Sequence, residues 1–157
     1  MAGVLESDVI VQVAFVVKDV EKTARKYADF FGMQVPEFTQ SDPVETSHAV
    51  YRGKPTGGRN KQAIFNFGQV ALELIQPDNG PSAWREALDQ NGEGFHHIAF
   101  RVKDLPAKTA ELEARGYTNI MTGSWTKQKE GGSNGMYSYI DATEDLKTVL
   151  ELLERLD

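Results

Sequence analysis

Four polar side chains stand where a divalent cation could use them: Gln12, Glu73, His97 and Glu151. Each interrupts an apolar run. His97 lies in Phe95-His96-His97-Ile98-Ala99-Phe100, which carries two of the chain's 3 histidines. Glu73 is the charge in Ala71-Leu72-Glu73-Leu74-Ile75, and Glu151 the charge in Val149-Leu150-Glu151-Leu152-Leu153. Gln12 breaks the β-branched run Val9–Val17. Successive side chains of a strand point to opposite faces. By that alternation His97, Ala99 and Arg101 share one face, and His96, Ile98, Phe100 and Val102 the other. Val11, Val13, Phe15 and Val17 likewise oppose Gln12, Ala14 and Val16. One imidazole in a strand is ordinarily a hydrogen-bonded core group. One Glu between leucines is ordinarily the wet face of a half-buried strand. Two carboxylates buried with no partner would be very costly, and one divalent cation held by all four side chains removes that cost.

The four positions gain weight from an internal repeat. Gln12–Val20, "QVAFVVKDV", aligns with His97–Leu105, "HIAFRVKDL", making Gln12 the counterpart of His97. Ala14/Ala99, Phe15/Phe100, Val17/Val102, Lys18/Lys103 and Asp19/Asp104 are identical pairs. "LELI" (72–75) matches "LELL" (150–153), pairing Glu73 with Glu151. The donors therefore fall at two pairs of equivalent positions.

The elements that must carry them follow the same order twice. The first half reads as a strand at Val9–Val17, a helix at Asp19–Phe31 stopped by Gly32, and strands near His48–Arg52, Gln62–Phe67 and Gln69–Ile75. Asn66-Phe67-Gly68-Gln69 supplies a hairpin turn. A connector follows, with a short helix at Ser82–Leu88 in which Trp84 packs. The second half reads as a strand at Phe95–Val102, a helix at Pro106–Ala114, and strands near Tyr117–Met121, Met136–Ile140 and Thr148–Leu153. Neither half alone could bury its sheet face, so the two must pack together.

Composition excludes several classes. The chain has 157 residues, 40% of them hydrophobic, enough for one good core. Lys+Arg number 17 against 23 Asp+Glu, and a net charge of -6 argues against nucleic acid as a partner. With no cysteine there is no disulfide, thiolate nucleophile or thiolate ligand. No basic leader and no long apolar segment is read at the start, so the expectation is a cytoplasmic protein with no membrane span.

The repeat, the entry "HHIAFRVKDL" and the closing "LELI" and "LELLE" resemble the vicinal oxygen chelate superfamily, over about Val9 to Leu153. That group includes glyoxalase I, methylmalonyl-CoA epimerase, extradiol dioxygenases, and fosfomycin and bleomycin resistance proteins. The resemblance implies an α+β fold of paired βαβββ modules whose sheets curl around a metal-binding cavity. It implies one domain over 1–157, with modules at about 9–76 and 95–154 and a connector at 77–94. It implies metal ligands on the first and last strand of each module, here Gln12, Glu73, His97 and Glu151. "NGEGFHHIAFRVKDL" looks most like methylmalonyl-CoA epimerases and bacterial glyoxalase-like proteins. Gln12 departs from the His that most metal-bearing relatives carry. With one His among four candidates, the two-His dioxygenase and fosfomycin patterns are disfavoured. The set Gln, Glu, His, Glu resembles instead that of the zinc-dependent, eukaryotic-type glyoxalase I.

One divalent ion with three oxygen donors and one imidazole suits Zn, Ni, Co, Mn or Mg. The chemistry implied is polarisation of a carbonyl or enediolate oxygen, with a carboxylate taking the proton of the adjacent carbon. Glu151 is the first candidate base, by its glyoxalase counterpart. Glu73 is the second, on the opposite face, as an epimerase requires. Candidate substrate contacts are His48, Arg52, Lys54 and Arg59 in the basic stretch 48–62, with Arg101 on the face of His97. They would take a phosphate or carboxylate, as in a CoA or glutathione conjugate. The loop 126–137, with Lys127, Lys129 and three glycines, is a candidate lid or a plain surface loop. The alternatives are glyoxalase I proper, a metal-dependent isomerase or lyase acting on a sugar or natural-product ketone, and a non-catalytic small-molecule binding protein. An exposed sheet edge leads to the expectation of a homodimer.

Overall fold

Asp19 and Asp104, counterparts in the repeat, open equivalent helices by the same device. The Asp19 carboxylate accepts from the Lys22 amide at 3.0 Å, and that of Asp104 from the Ala107 amide at 3.2 Å. Each satisfies an amide that the first helical turn leaves free. The computed structural model describes residues 3–128 and 130–157. Lys129 of the candidate lid lies outside them. The first half contains β1 (Gln12–Val16), α1 (Val20–Phe31), β2 (Thr39–Gln40), α2 (Val44–Ser47), β3 (Val50–Tyr51), β4 (Lys54–Pro55), β5 (Asn60–Asn66) and β6 (Ala71–Pro77). Helix α3 (Ala83–Asn91) connects the halves. The second half contains β7 (Gly94–Arg101), α4 (Leu105–Ala114), β8 (Thr118–Trp125), β9 (Gly135–Ala142), α5 (Thr143–Leu146) and β10 (Thr148–Arg155).

All strands join one sheet in the order β2-β5-β6-β1-β7-β10-β9-β8-β3-β4. The halves mirror each other about the β1/β7 junction, which is antiparallel, while β1/β6 and β7/β10 are parallel. The four donor-bearing strands, β6-β1-β7-β10, are therefore consecutive in the sheet. The outer face of the sheet takes α1 and α4. Val17, Ala63, Phe65 and Leu74 pack with Val20, Ala24 and Ala28 of α1. Val102, Ile140, Leu150 and Leu152, with Ile98 and Phe100, pack with Leu105 and Leu112 of α4. These are the apolar faces that strand alternation assigned to the outside. The inner face carries a third cluster, where Val16, Ile75, Ala83, Trp84 and Leu88 meet Tyr137 and Tyr139.

The strand expected at 48–52 shrinks to Val50–Tyr51 and leaves its own half. It pairs with β8, at the far end of the sheet. Left-handed backbone at His48 (φ 49), Arg52 (φ 48) and Gly53 (φ 83) reverses the chain on either side of it. The second strand of the first half is instead Thr39–Gln40, set in a Pro-containing polar segment with no strand pattern. This excursion draws the two ends of the sheet together. The Gln128 amide donates to the Gln40 carbonyl at 3.0 Å, and Asp42 accepts from the Thr126 amide at 2.7 Å. The sheet is thus curled around a hollow. Both edge strands are two residues long, and β4 is Lys54-Pro55, types that blunt strand addition. Among the described residues, no helix is long and apolar enough to cross a membrane.

Candidate metal centre

The donors meet because the register of the central strands interleaves them with alanines. Ala14 lies opposite Glu73 on one side and His97 on the other. Ala99 lies opposite Gln12 and Glu151. Ala14 and Ala99 are wholly buried, and their methyls leave the space the longer side chains share. Glu73 (6% exposed), His97 (0%) and Glu151 (5%) are all buried. His97 Nε2 lies 2.9 Å from Glu151 Oε2, 3.3 Å from Gln12 Oε1 and 3.7 Å from Glu73 Oε2.

Neighbouring donors of an octahedral ion at about 2.1 Å stand about 3.0 Å apart, so these separations suit such an ion. Gln12 points the same way. With its amide oxygen inward, that oxygen faces only acceptors. Turned over, the NH2 group donates to Glu151 Oε2 at 2.9 Å and Glu73 Oε2 at 3.0 Å. The first orientation is that of a cation ligand, the second that of a hydrogen-bond donor. Gln12, Glu73, His97 and Glu151 therefore fit a divalent cation by donor type and by spacing.

Electrostatics favour neutral groups here. Burial lifts the Glu73 carboxyl well above its ordinary 4.5, and the Glu151 charge adds to the rise. Burial raises Glu151 to about 8, opposed by a hydrogen bond from the Tyr139 hydroxyl. Burial lowers His97 to about 3. A divalent cation would reverse the cost for both carboxylates.

His96 departs from the expectation. Strand alternation put it on the outer face, away from His97. A β-bulge overrides the alternation: Ala14 pairs with His97, but the next residue, Phe15, pairs with Phe95. His96 is the extra residue. Its ring turns inward, with its centroid 5.6 Å from that of Tyr139. Its Nδ1 lies 2.8 Å from Nδ1 of His97. Two nitrogens at that distance share one proton. When it sits on His97 Nδ1 and is donated to His96, Nε2 of His97 keeps its lone pair for a cation.

The centre forms the floor of a cavity of about 680 Å³. Arg59 and Arg101 line this cavity, as do Gln12, Glu73 and Glu151. His48, Arg52 and Lys54 are not among its walls. His48 is exposed at the end of α2, and Lys54 lies on the outermost strand. Arg52 is held by Glu86, with Nε donating at 3.0 Å. Arg59 gives its Nε to the Ser41 carbonyl at 2.7 Å. The loop after β8 contributes Thr126, Gln128, Gly132 and Ser133 to the walls.

Several residues at the site carried no signal in the sequence reading. Tyr139 faces Glu151 across β9/β10 and receives the Trp84 indole N–H at 2.9 Å. Tyr137, Trp125 and Arg155 also line the cavity. Alternation alone would have found Tyr137 and Tyr139 on one face of "MYSYI", and Arg155 on the face of Glu151.

A family model described as glyoxalase/bleomycin resistance protein/dioxygenase superfamily matches residues 11–137. An uncharacterised Bacillus subtilis protein, YqjC, is 32% identical over 94 residues, which are 59% of this chain and 63% of that protein. The match thus spans less than two thirds of that relative. Among solved structures, a variant of Streptomyces coelicolor methylmalonyl-CoA epimerase in complex with 2-nitronate-propionyl-CoA is similar with a TM-score of 0.62 and 21% identity, covering 94% of this chain and 97% of that one. Methylmalonyl-CoA epimerase from Mycobacterium tuberculosis is similar with a TM-score of 0.63 and 20% identity, covering 100% of this chain and 93% of that one.

Proposed function

The chain belongs to the glyoxalase/bleomycin resistance protein/dioxygenase superfamily, and from that membership we propose that it is a metal-dependent enzyme moving a proton at a carbon next to a carbonyl or enediolate oxygen, as an isomerase, epimerase or lyase. One observation carries the reading. Two buried carboxylates, from equivalent strands of the two halves, converge with one imidazole on the floor of an open cavity. Gln12, Glu73, His97 and Glu151 would hold the ion. When bound, it would supply Lewis-acid polarisation of the substrate oxygen.

The chain's own groups supply the rest. Glu151 is the base. It faces the cavity and is oriented by the Tyr139 hydroxyl, which Trp84 holds in turn. No cysteine competes for the role, and both inward histidines are engaged with each other. Glu73 reaches the cluster from the other half. A proton given to the opposite face of the same carbon would come from there, which is the requirement of an epimerase. Ala14 and Ala99, wholly buried between the donors, leave them room to converge. Arg59 and Arg101 are the substrate contacts that remain from the sequence reading.

The similarity to structures of methylmalonyl-CoA epimerase makes a CoA thioester the first substrate to try. The Gln-Glu-His-Glu donor set makes a hemithioacetal the second. The test is deuterium wash-in at the substrate α-carbon, with wild type and Glu151→Gln both fully metallated. Wild type should exchange the α-proton of at least one thioester, hemithioacetal or hydroxyketone. Glu151→Gln keeps the shape and an oxygen donor but loses the base, and should slow exchange by roughly 10²–10⁴. Exchange at the wild-type rate in the variant would remove Glu151 from the role. No exchange by wild type with any of these substrates would overturn the reading.

A further inference from the structure

We propose that Arg101 and Arg155 form an anion-binding subsite on the cavity wall, taking a phosphate or carboxylate at the far end of the substrate. The inference rests on the reading of this cavity as the substrate site and adds the class of substrate. Each arginine ends its strand, four residues beyond a donor: Arg101 after His97 on β7, Arg155 after Glu151 on β10. Even spacing along a strand keeps them on the inner face, and both line the cavity. Arg101 pairs with Leu153, so Arg155 lies two residues further along the adjacent parallel strand. Their Cα atoms are then about 8 Å apart, and about 13 Å from those of the donors.

The two charges stand together on the cavity wall. Neither guanidinium forms an ion pair among the described residues, whereas Arg52 is paired with Glu86 and Lys61 with Glu21. Partial burial lowers Arg101, and the charge of Arg155 lowers it further. Asp42, also on the cavity wall, is engaged by Thr126 and Gln128. Two planar forks side by side match an oxyanion with several acceptor oxygens.

The cavity has direction. The corresponding positions of the first half, four residues beyond Gln12 and Glu73, are Val16 and Pro77, both buried. Because β1 runs antiparallel to β7, these lie toward the other end, where Val16 packs with Trp84 and Leu88 of α3. Beside Val16 the inner face is filled by Trp84 and Leu88, whereas Arg101 and Arg155 stand beyond His97 and Glu151 on the cavity wall. A substrate would reach the donors with its carbonyl and leave its anionic group at the arginines.

Binding can be measured without chemistry. Trp84 and Trp125 line the cavity, so tryptophan fluorescence should report titration with phenyl phosphate, benzoate and, as the neutral control, benzyl alcohol. The chelator-treated protein is used first, so that no ion competes for the anion, and then the metal-loaded protein. At least one anion should bind wild type in the millimolar range or tighter, and R101A/R155A should weaken it at least tenfold. Benzyl alcohol should be indifferent to the variant. R101K/R155K keeps the charge and should restore part of the binding, while circular dichroism checks the fold of each variant. Preference for phenyl phosphate or for benzoate identifies the anionic group. The proposal is overturned if neither anion binds wild type, or if the double alanine variant binds it equally. If anion binding holds while deuterium exchange fails, the subsite stands and the proton-transfer reading falls.

Discussion

His97 can serve a cation through Nε2 only while Nδ1 holds a proton, and the partner that accepts that proton is His96. His97→Ala should therefore lose the ion. His96→Phe should weaken it by about 10–100-fold, the usual effect of removing a partner of a ligating imidazole. His96→Gln, which keeps an acceptor, should lose less. Chelator competition measures all three, and an unchanged affinity in His96→Phe would sever the link between the rings. The buried carboxyls make a second prediction, for the chelator-treated protein. Glu151 is raised from 4.5 to about 8, so the folded state binds a proton that the unfolded state has lost. That contribution is complete below about pH 4.5 and disappears as pH rises toward 8. His97 is lowered from 6.5 to about 3, so its contribution is complete above about 6.5 and disappears as pH falls toward 3. Below about pH 6.5 the two slopes oppose each other, so thermal melts in chelator should show stability falling between about pH 6.5 and 8. Glu151→Gln should flatten that fall.

At the scale of the element, the bulge in β7 and the alanines of β1 and β7 decide what the strands present. A regular β7 would send His96 outward with Ile98 and Phe100. The extra residue instead brings two imidazoles inside and leaves Phe95 outside, edge-on to Phe15 with ring centroids 6.1 Å apart. Ala99 lies between Gln12 and Glu151 with no exposed surface. Ala99→Leu should push these donors apart. The expected outcome is loss of most bound metal by elemental analysis, with overpacking costing about 1–3 kcal/mol in melts of the metal-free protein. Retention of wild-type metal content would mean that the donors do not converge over Ala99. Glycines make room on the second half in the same way. A Cβ at Gly135 would lie 2.0 Å from the Trp125 ring, so this aromatic wall of the cavity depends on a bare backbone opposite it.

The whole molecule is two similar halves joined at β1/β7, with donors contributed equally: Gln12 and Glu73 from one, His97 and Glu151 from the other. A bound ion would therefore cross-link the halves as well as serve chemistry. Removing it should lower the melting temperature reversibly. With free ion a thousandfold above its dissociation constant, the loss is about 4 kcal/mol. Gln12→Ala and Glu73→Ala should shrink this metal-dependent shift as His97→Ala does, because each half must hold its share. A shift that survives loss of both first-half donors would place the ion within the second half alone.

Much of this was open to reading along the chain. The repeat, the strand alternation around Gln12, Glu73, His97 and Glu151, and the Asp-led helices are local signals, set by side-chain periodicity and capping chemistry. They carried the α+β class, the outer apolar faces and the four polar side chains that meet at the cavity floor. What they could not carry depends on contacts between residues distant in sequence. The bulge that turns His96 inward arises from the pairing of β7 with β1. The strand at 50–51 is recruited by β8 of the other half, while its own half takes the unpatterned Thr39–Gln40. Which arginines face the cavity follows from curling, which closes the sheet through Gln40, Asp42, Thr126 and Gln128. Alternation places Arg101 and Arg155 on faces of separate strands. Only the parallel register of β7 and β10 brings the two charges to one wall.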